Sequence, residues 1–352
     1  MTLKYYFEYL KKCNRLLKQL AKEQDGATGL TLFFWVDYLW AALRHGCLIR
    51  HYVYGEFYKM SGFERRRSLT YPRICKIFKK CNNPEYIHFL ESKCDFNRYF
   101  SKFVKRDWLY NQEASYDEFK EFVIKHKAII IKPLELCEGH GIFRVNNISD
   151  EAEVLDLYEK IKDKPYMLEE CIVPHREMEF GNKSVNTIKI DTLLKKNGEV
   201  FVFKPALRVG VGDAVVDNYG SGGCVYDVDL KLGIVMCPSF SKDNQHHRKH
   251  PGTDITMIGY QIPNWEEVIK CVTEAAKMLP QCRFIGWDVA ITPDGVDLIE
   301  GNHNLDYELM EFQGIYRGWW HELKNTSNNE TTSRKSIAKT VFGLYGEESC
   351  GS

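Results

Sequence analysis

Three oxygen-bearing side chains stand close together late in the sequence: Asp288, Glu300 and Asn302, within GWDVAITPDGVDLIEGNHN. The flanking residues read as two strands turning at Pro293-Asp294-Gly295, a tripeptide suited to a tight turn. Side chains alternate along a strand, so Glu300 and Asn302 share one face, and the turn can bring Asp288 onto it. Two carboxylates and an amide oxygen are hard ligands, suited to Mg²⁺ rather than to zinc or copper. Magnesium completes its shell with water and substrate phosphates, so the trio implies a nucleotide-phosphate site. Solvated strand ends are the alternative.

A phosphate site needs cations and close backbone N–H groups. Lys132 ends the apolar run AIIIKP and precedes Gly139-His140-Gly141, whose small residues let N–H groups approach phosphate oxygens; a plain turn is the other reading. Arg208 ends the second strand of VNTIKIDTLLKKNGEVFVFKPALRVG, as a phosphate cation or a structural ion pair. No G-x-x-x-x-G-K-[ST] occurs, so this is not a P-loop chain.

The elements that must hold these residues are legible as pattern. Residues 1–90 show helical spacing of apolar residues, and Phe96–Leu109 reads as a further amphipathic helix. AIIIKP and YMLEECIV read as strands, with a helix between them capped by Ser149 or Asp150 and running to about Lys162. Asn197-Gly198 predicts a type I′ hairpin turn, and PNWEEVIKCVTEAAKMLP predicts a helix. The polar stretch NTSNNETTSRKS predicts a flexible linker before a short tail.

Composition sets the outer bounds. The chain has 352 residues, 44% hydrophobic and 27% charged, enough for one large domain or two to three smaller ones. Lys+Arg and Asp+Glu balance at 48 each, which removes any general argument for nucleic-acid binding. Arg65-Arg66-Arg67 is read as a solvated face. Twelve cysteines without a C-x-x-C pair imply reduced thiols and a cytoplasmic location. No secretory signal is apparent, and GLTLFFWVDYLWAAL is too short to span a bilayer and contains Asp37. That helix is read as buried in preference to lying on a membrane surface, with Phe33, Phe34, Trp35, Tyr38 and Trp40 as core. His246, His247 and His250 are read as a mobile charged loop rather than a metal site.

The order of these parts, together with SVNTIKIDTLL, RVGVGDAVVDNYGSGG, IPNWEEV and FIGWDVAITPDGVDLIEGNHN, resembles the sugar-transfer-associated ATP-grasp family. The resemblance covers about residues 30–320 and is strongest over 184–304. It implies an α+β ATP-grasp fold, two α+β subdomains gripping ATP between antiparallel sheets, with a helical N-terminal region. The implied boundaries are 1–92 for that region, 93–320 for the ATP-grasp domain (gripping part 93–180, metal part 181–320) and 321–352 for linker and tail.

Roles follow by position from the resemblance. Lys93 and Lys132 match the nucleotide lysines, with Gly139, His140 and Gly141 as the phosphate loop. Glu169, Glu170 and Ile172 match the adenine-lining segment, and Glu177 the ribose carboxylate. Arg208 matches the arginine that stabilises the transferred phosphoryl group, and Asp288, Glu300 and Asn302 match the ligands of ATP-bound Mg²⁺, expected as two ions. Asn186, Asn218, Ser221, Gly222 and Gly223 match the phosphate and acceptor site. Lys189 stands where the family carries arginine, keeping charge but losing the bidentate fork. His303, Asn304 and Asp306, just beyond the metal trio, are expected to face the acceptor.

The implied reaction is ATP-dependent carboxylate–amine ligation through an acyl phosphate, on small or sugar-linked substrates of surface-polysaccharide assembly. A kinase acting on a hydroxyl, or a scaffold without catalysis, are the alternatives. Association with a glycosyltransferase and homo-oligomerisation stay open.

Overall fold

The computed structural model describes residues 3–24, 28–134, 141–148, 150–182, 184–212, 222–241, 245–305, 309 and 318–328. The chain divides into two compact units, residues 1–81, 193–199 and 306–352 in one, and 82–192 with 200–305 in the other.

The first unit is helical. The helix Leu3–Glu23 buries Cys13, Leu16, Leu17, Leu20 and Ala21, at the three- and four-residue spacing that makes one helix face. These pack with Phe34, Tyr38 and Ala41 of the helix Thr28–His45 and with Tyr52 and Phe57. Asp37 is tolerated beside this core because Arg65 grips it bidentately at 2.7 and 2.8 Å, and Tyr52 Oη donates to it at 2.7 Å. Arg65 is therefore buried, a correction to its reading as a solvated face. Phe33 and Trp40 are exposed rather than core, whereas Phe34 and Tyr38 are buried as expected. Asn325 to Asn328, expected in a linker, lie in the helix Trp319–Asn328, which packs on the helix Tyr71–Cys81.

The second unit carries two antiparallel sheets. β1 (Trp108–Tyr110), β2 (Ala128–Pro133), β3 (Phe143–Asn146) and β4 (Tyr166–Glu170) form the smaller, in the order β1-β4-β2-β3. Trp108 and Leu109 thus belong to a strand, and the helix expected to reach them ends at Tyr99. Ile129, Ile131 and Leu168 project from one face onto Phe119, Phe122 and Val123 of the helix Tyr116–Lys125 and Val154, Leu157 and Ile161 of the helix Glu151–Ile161. Asp150 is the cap of the latter, accepting from Ala152 N at 3.2 Å. Alternation then sends Lys132 and Glu169 to the opposite face.

The larger sheet adds β5 (Thr187–Leu194), β6 (Val200–Val209), β7 (Cys224–Asp227), β8 (Phe240–Ser241), β9 (Phe284–Thr292) and β10 (Gly295–Asn302), in the order β10-β9-β5-β6-β7-β8. Ile188, Ile190, Leu207, Val209, Trp287, Val289, Ile291 and Leu298 form one face and pack with Val268, Cys271, Val272, Ala275 and Ala276 of the helix Trp265–Met278. Each buried valine, leucine or isoleucine among them contributes about 1.5–3 kcal/mol.

The turn between β5 and β6 departs from expectation. Type I′ needs φ > 0 at both central residues, but only Gly198 has it, at 83°. Gly198 N donates to Lys195 O at 3.1 Å and Lys195 N to Glu199 O at 2.8 Å, a three-residue loop with glycine at its left-handed position. His250 is not in a mobile loop. It is buried, with Nε2 3.3 Å from Gly210 O.

Candidate active site

The second face of the larger sheet is where the chemistry collects. On β5, Thr187, Lys189 and Asp191 alternate with Ile188 and Ile190 of the core; on β6, Arg208 lies between Leu207 and Val209; on β9, Asp288 lies between Trp287 and Val289. Lys189 Nζ sits 2.9 Å from Asp288 Oδ1, and Arg208 Nη2 donates to Asp288 Oδ2 at 2.7 Å. Arg208 Nε donates to Thr187 Oγ1 at 3.0 Å, fixing the guanidinium plane. The close packing depends on Gly286, where an added Cβ would lie 2.7 Å from Asp191 Oδ1 and 3.3 Å from Lys189 Cε.

Glu300 reaches this face through an irregularity. In the register set by Gly295 opposite Thr292 and Leu298 opposite Val289, a regular ladder would place Glu300 opposite Trp287, on the apolar face. A β-bulge between Leu298 and Glu300 shifts the pairing by one, so Glu300 opposes Asp288 and Asn302 opposes Gly286. One extra residue re-aims the side chain, as bulges beside functional sites do. Asn302 Nδ2 then donates to Glu300 Oε1 at 3.1 Å.

Electrostatics divides the two carboxyls. Burial opposes ionisation of Asp288, but Arg208 and Lys189 overcome it and hold the carboxyl well below the usual range. The Glu300 carboxyl is raised, by lost hydration, by the charge of Asp288 and by a hydrogen bond shared with it. Glu300 is open to solvent, so the neighbouring charge of Asp288 outweighs the lost hydration. A divalent cation between them would relieve the repulsion and serve both carboxylates. Asp288 Oδ1 is ready for it, being buried and in ion-pair contact with Lys189 but without a hydrogen bond of good geometry. Two carboxylates and the Asn302 amide oxygen fit Mg²⁺.

The smaller sheet supplies a second cluster. Lys132 and Glu169, on the face away from the helices, form an ion pair. Glu169 is almost wholly buried and also accepts from Arg106 Nη2 at 2.9 Å and from Asn97 Nδ2 at 3.1 Å. Burial works against this charge, yet Arg106 and Lys132 keep the carboxyl far below its ordinary value. Arg106 extends the cluster. Its Nη1 donates to Asp297 Oδ1 at 2.8 Å and Leu298 O at 3.1 Å, and Nη2 donates to Ile299 O at 3.1 Å. One buried guanidinium thus ties the bulge that aims Glu300 to the carboxylate that holds Lys132. Sequence reasoning missed Arg106, Asp297 and Asn97: Asn97 and Arg106 fall in the stretch expected as an amphipathic helix, and no local pattern shows their long-range partners.

The other expected residues are placed as follows. Lys93 is the first residue of the helix Lys93–Tyr99, half-buried and without an ion-pair partner among the described residues. Glu170 N donates to Asp107 O at 2.9 Å while its carboxylate accepts from Asp107 N at 3.2 Å; Ile172 follows, half-buried. Glu177 is exposed in a short 3₁₀ turn. Gly141 lies just before β3, and Gly222 and Gly223 just before β7. Asn186 is buried with its amide fully engaged, donating to Met178 O at 2.7 Å and Asn182 Oδ1 at 3.1 Å and accepting from Gly210 N at 3.1 Å. It holds backbone in place instead of presenting a free group. His303 turns toward Glu91, 3.7 Å away, and Asn304 is exposed. Gly139, His140, Asn218, Ser221 and Asp306 lie outside the described residues.

The model of the sugar-transfer associated ATP-grasp family matches residues 76–328, well over half the chain. The chain belongs to that family. Among solved structures, ATP-grasp ligase PsnB, complexed with a precursor peptide and AMPPNP, is 12% identical with a TM-score of 0.44, over 71% of this chain and 63% of that one. D-alanyl-alanine synthetase A from Vibrio cholerae is 13% identical, TM-score 0.42, over 70% and 68%. Carboxyaminoimidazole ribonucleotide synthase from asperigillus clavatus, complexed with ATP, is 14% identical, TM-score 0.39, over 63% and 47%. The chain therefore spans less than two thirds of the PsnB and ribonucleotide synthase chains. No curated protein matches. No helix among the described residues is long and apolar enough to cross a membrane.

Proposed function

We propose that this chain is an ATP- and Mg²⁺-dependent carboxylate–amine ligase. The observation that carries the reading is the single sheet face on which Lys189, Arg208, Asp288, Glu300 and Asn302 converge. Two adjacent carboxylates with an amide oxygen suit metal ions on a polyphosphate, and the two cations beside them suit its oxygens. Bound Mg²⁺ would neutralise phosphate charge.

In the proposed reaction an acceptor carboxylate oxygen bonds to the γ-phosphorus while the bond to the ADP oxygen breaks. An amine nitrogen then attacks the acyl carbon, inorganic phosphate leaves, and the nitrogen loses a proton. Arg208 is the residue we assign to the transferring phosphoryl group. It exchanges Asp288 for phosphate oxygen, with Thr187 holding its plane. Lys189 compensates the growing charge beside it, and Lys132, released from Glu169, is the cation for the other end of the phosphate chain. No covalent enzyme intermediate is needed. We place the substrate in the surface-polysaccharide class, for which the only support is that the family is described as sugar-transfer associated. The test is a screen of purified protein with ATP, carboxylates and amines, read by phosphate release and product mass. A condensed amide with one phosphate per product supports the ligase; a phosphoester without phosphate release shows a kinase instead.

A further inference from the structure

The helix Thr28–His45 is apolar on two opposite sides. Phe34, Tyr38 and Ala41 face the core of the first unit. Leu32, Phe33, Val36, Leu39, Trp40 and Leu43 are 50–89% exposed, Leu43 the most. Leu32, Val36, Leu39 and Leu43 recur at i, i+4, i+7 and i+11, a continuous stripe along one helix face, with Phe33 and Trp40 along its edge. Tyr6, Phe7 and Leu10 on the helix Leu3–Glu23 are also exposed. Isolated exposed leucines are ordinary, but a continuous exposed apolar stripe of this length is the mark of an interaction surface.

Charge identifies the partner. Residues 1–81 hold sixteen Lys and Arg against six Asp and Glu, although the whole chain carries 48 of each. The basic excess is thus confined to the segment that carries the stripe. On the helix Leu3–Glu23, Lys4, Lys11, Lys12 and Arg15 are exposed around the aromatic residues. Exposed apolar side chains including tryptophan, bordered by lysine and arginine, are what binds the surface of an anionic bilayer. The stripe is also too short to span one, and no described helix meets that requirement.

We infer that the face formed by Leu32, Val36, Leu39 and Leu43 rests on an anionic membrane surface, apolar side chains in the headgroup boundary and basic residues against the lipid charge. This does not depend on the ligase reading.

The test is flotation of the full-length protein with phosphatidylcholine vesicles, with and without phosphatidylglycerol, at low and high salt. The expected result is flotation only with phosphatidylglycerol, weakened by salt. The double variant Leu39→Glu, Leu43→Glu should bind at least about tenfold more weakly. Both side chains are already exposed, so its urea midpoint should match the wild type. No flotation of the wild type overturns the inference, as does a variant that floats equally well. A wild-type dimer that the variant converts to monomer, without lipid binding by either, overturns it in favour of a second copy.

Discussion

Arg106→Met is the most searching perturbation of the fold around the site. Arg106 is buried between Glu169 and Asp297, themselves almost wholly buried, and also donates to the carbonyls of Leu298 and Ile299. Methionine approximates the aliphatic length but removes every donor. Lys132 still answers Glu169, so the deepest loss falls on Asp297, left with backbone donors from Lys105 at 3.1 Å and Arg106 at 3.3 Å. Removing one partner of a buried ion pair costs about 3–5 kcal/mol, against roughly 5–15 kcal/mol for a whole domain. The assay is urea unfolding of wild type, Arg106→Met, Asp297→Asn and the double variant. We expect a loss of about 3–5 kcal/mol for Arg106→Met. We also expect a coupling of at least about 1 kcal/mol with Asp297→Asn, because the neutral amide no longer needs the guanidinium. A loss under about 1 kcal/mol, or simple additivity, would refute the claim that this guanidinium joins the two clusters.

Acid should unfold the protein partly through Glu169. Its folded-state pKa lies below the unfolded one, so its stabilisation is complete above the ordinary glutamate value, about 4.3, and is lost as pH falls toward the folded value. Glu169→Gln should lower stability at neutral pH and flatten the acid limb of a stability–pH curve; an unchanged limb would contradict this. Gly286→Ala should push Lys189 and Asp191 off their positions, lowering ATP turnover by about tenfold or more with a modest change in melting temperature. Unaltered kinetics would count against the packing argument. Asn186→Ala should cost about 1–3 kcal/mol in stability by orphaning Gly210 N and Met178 O. A full loss of turnover in a protein of wild-type stability would instead assign it to substrate.

Much of the larger sheet could be read from the chain. Alternation in TIKIDTLL and FIGWDVAIT predicts strands, and the hard-ligand trio stands out by residue type alone. The unread part has physical causes. A bulge is invisible in a pattern of period two, so the placement of Glu300 beside Asp288 was expected for an incomplete reason. Arg106 meets partners 63 and 191 residues away, a pairing that no local window contains. Asn197-Gly198 fits both a two- and a three-residue loop, and the structure uses the longer one. Helix Thr28–His45 is apolar nearly all round, which from sequence suggests burial on every side; only its packing shows that one side is left open.

The claim that Asp288, Glu300 and Asn302 form the metal end of an ATP site is tested most directly by calorimetric titration of ATP across a Mg²⁺ series, comparing wild type with Glu300→Gln. Glu300 is open to solvent, so the variant should fold normally. The expected result is ATP affinity that rises with Mg²⁺ in the wild type and loses about tenfold or more of that gain in the variant. Equal Mg²⁺-dependence in the two proteins would contradict it.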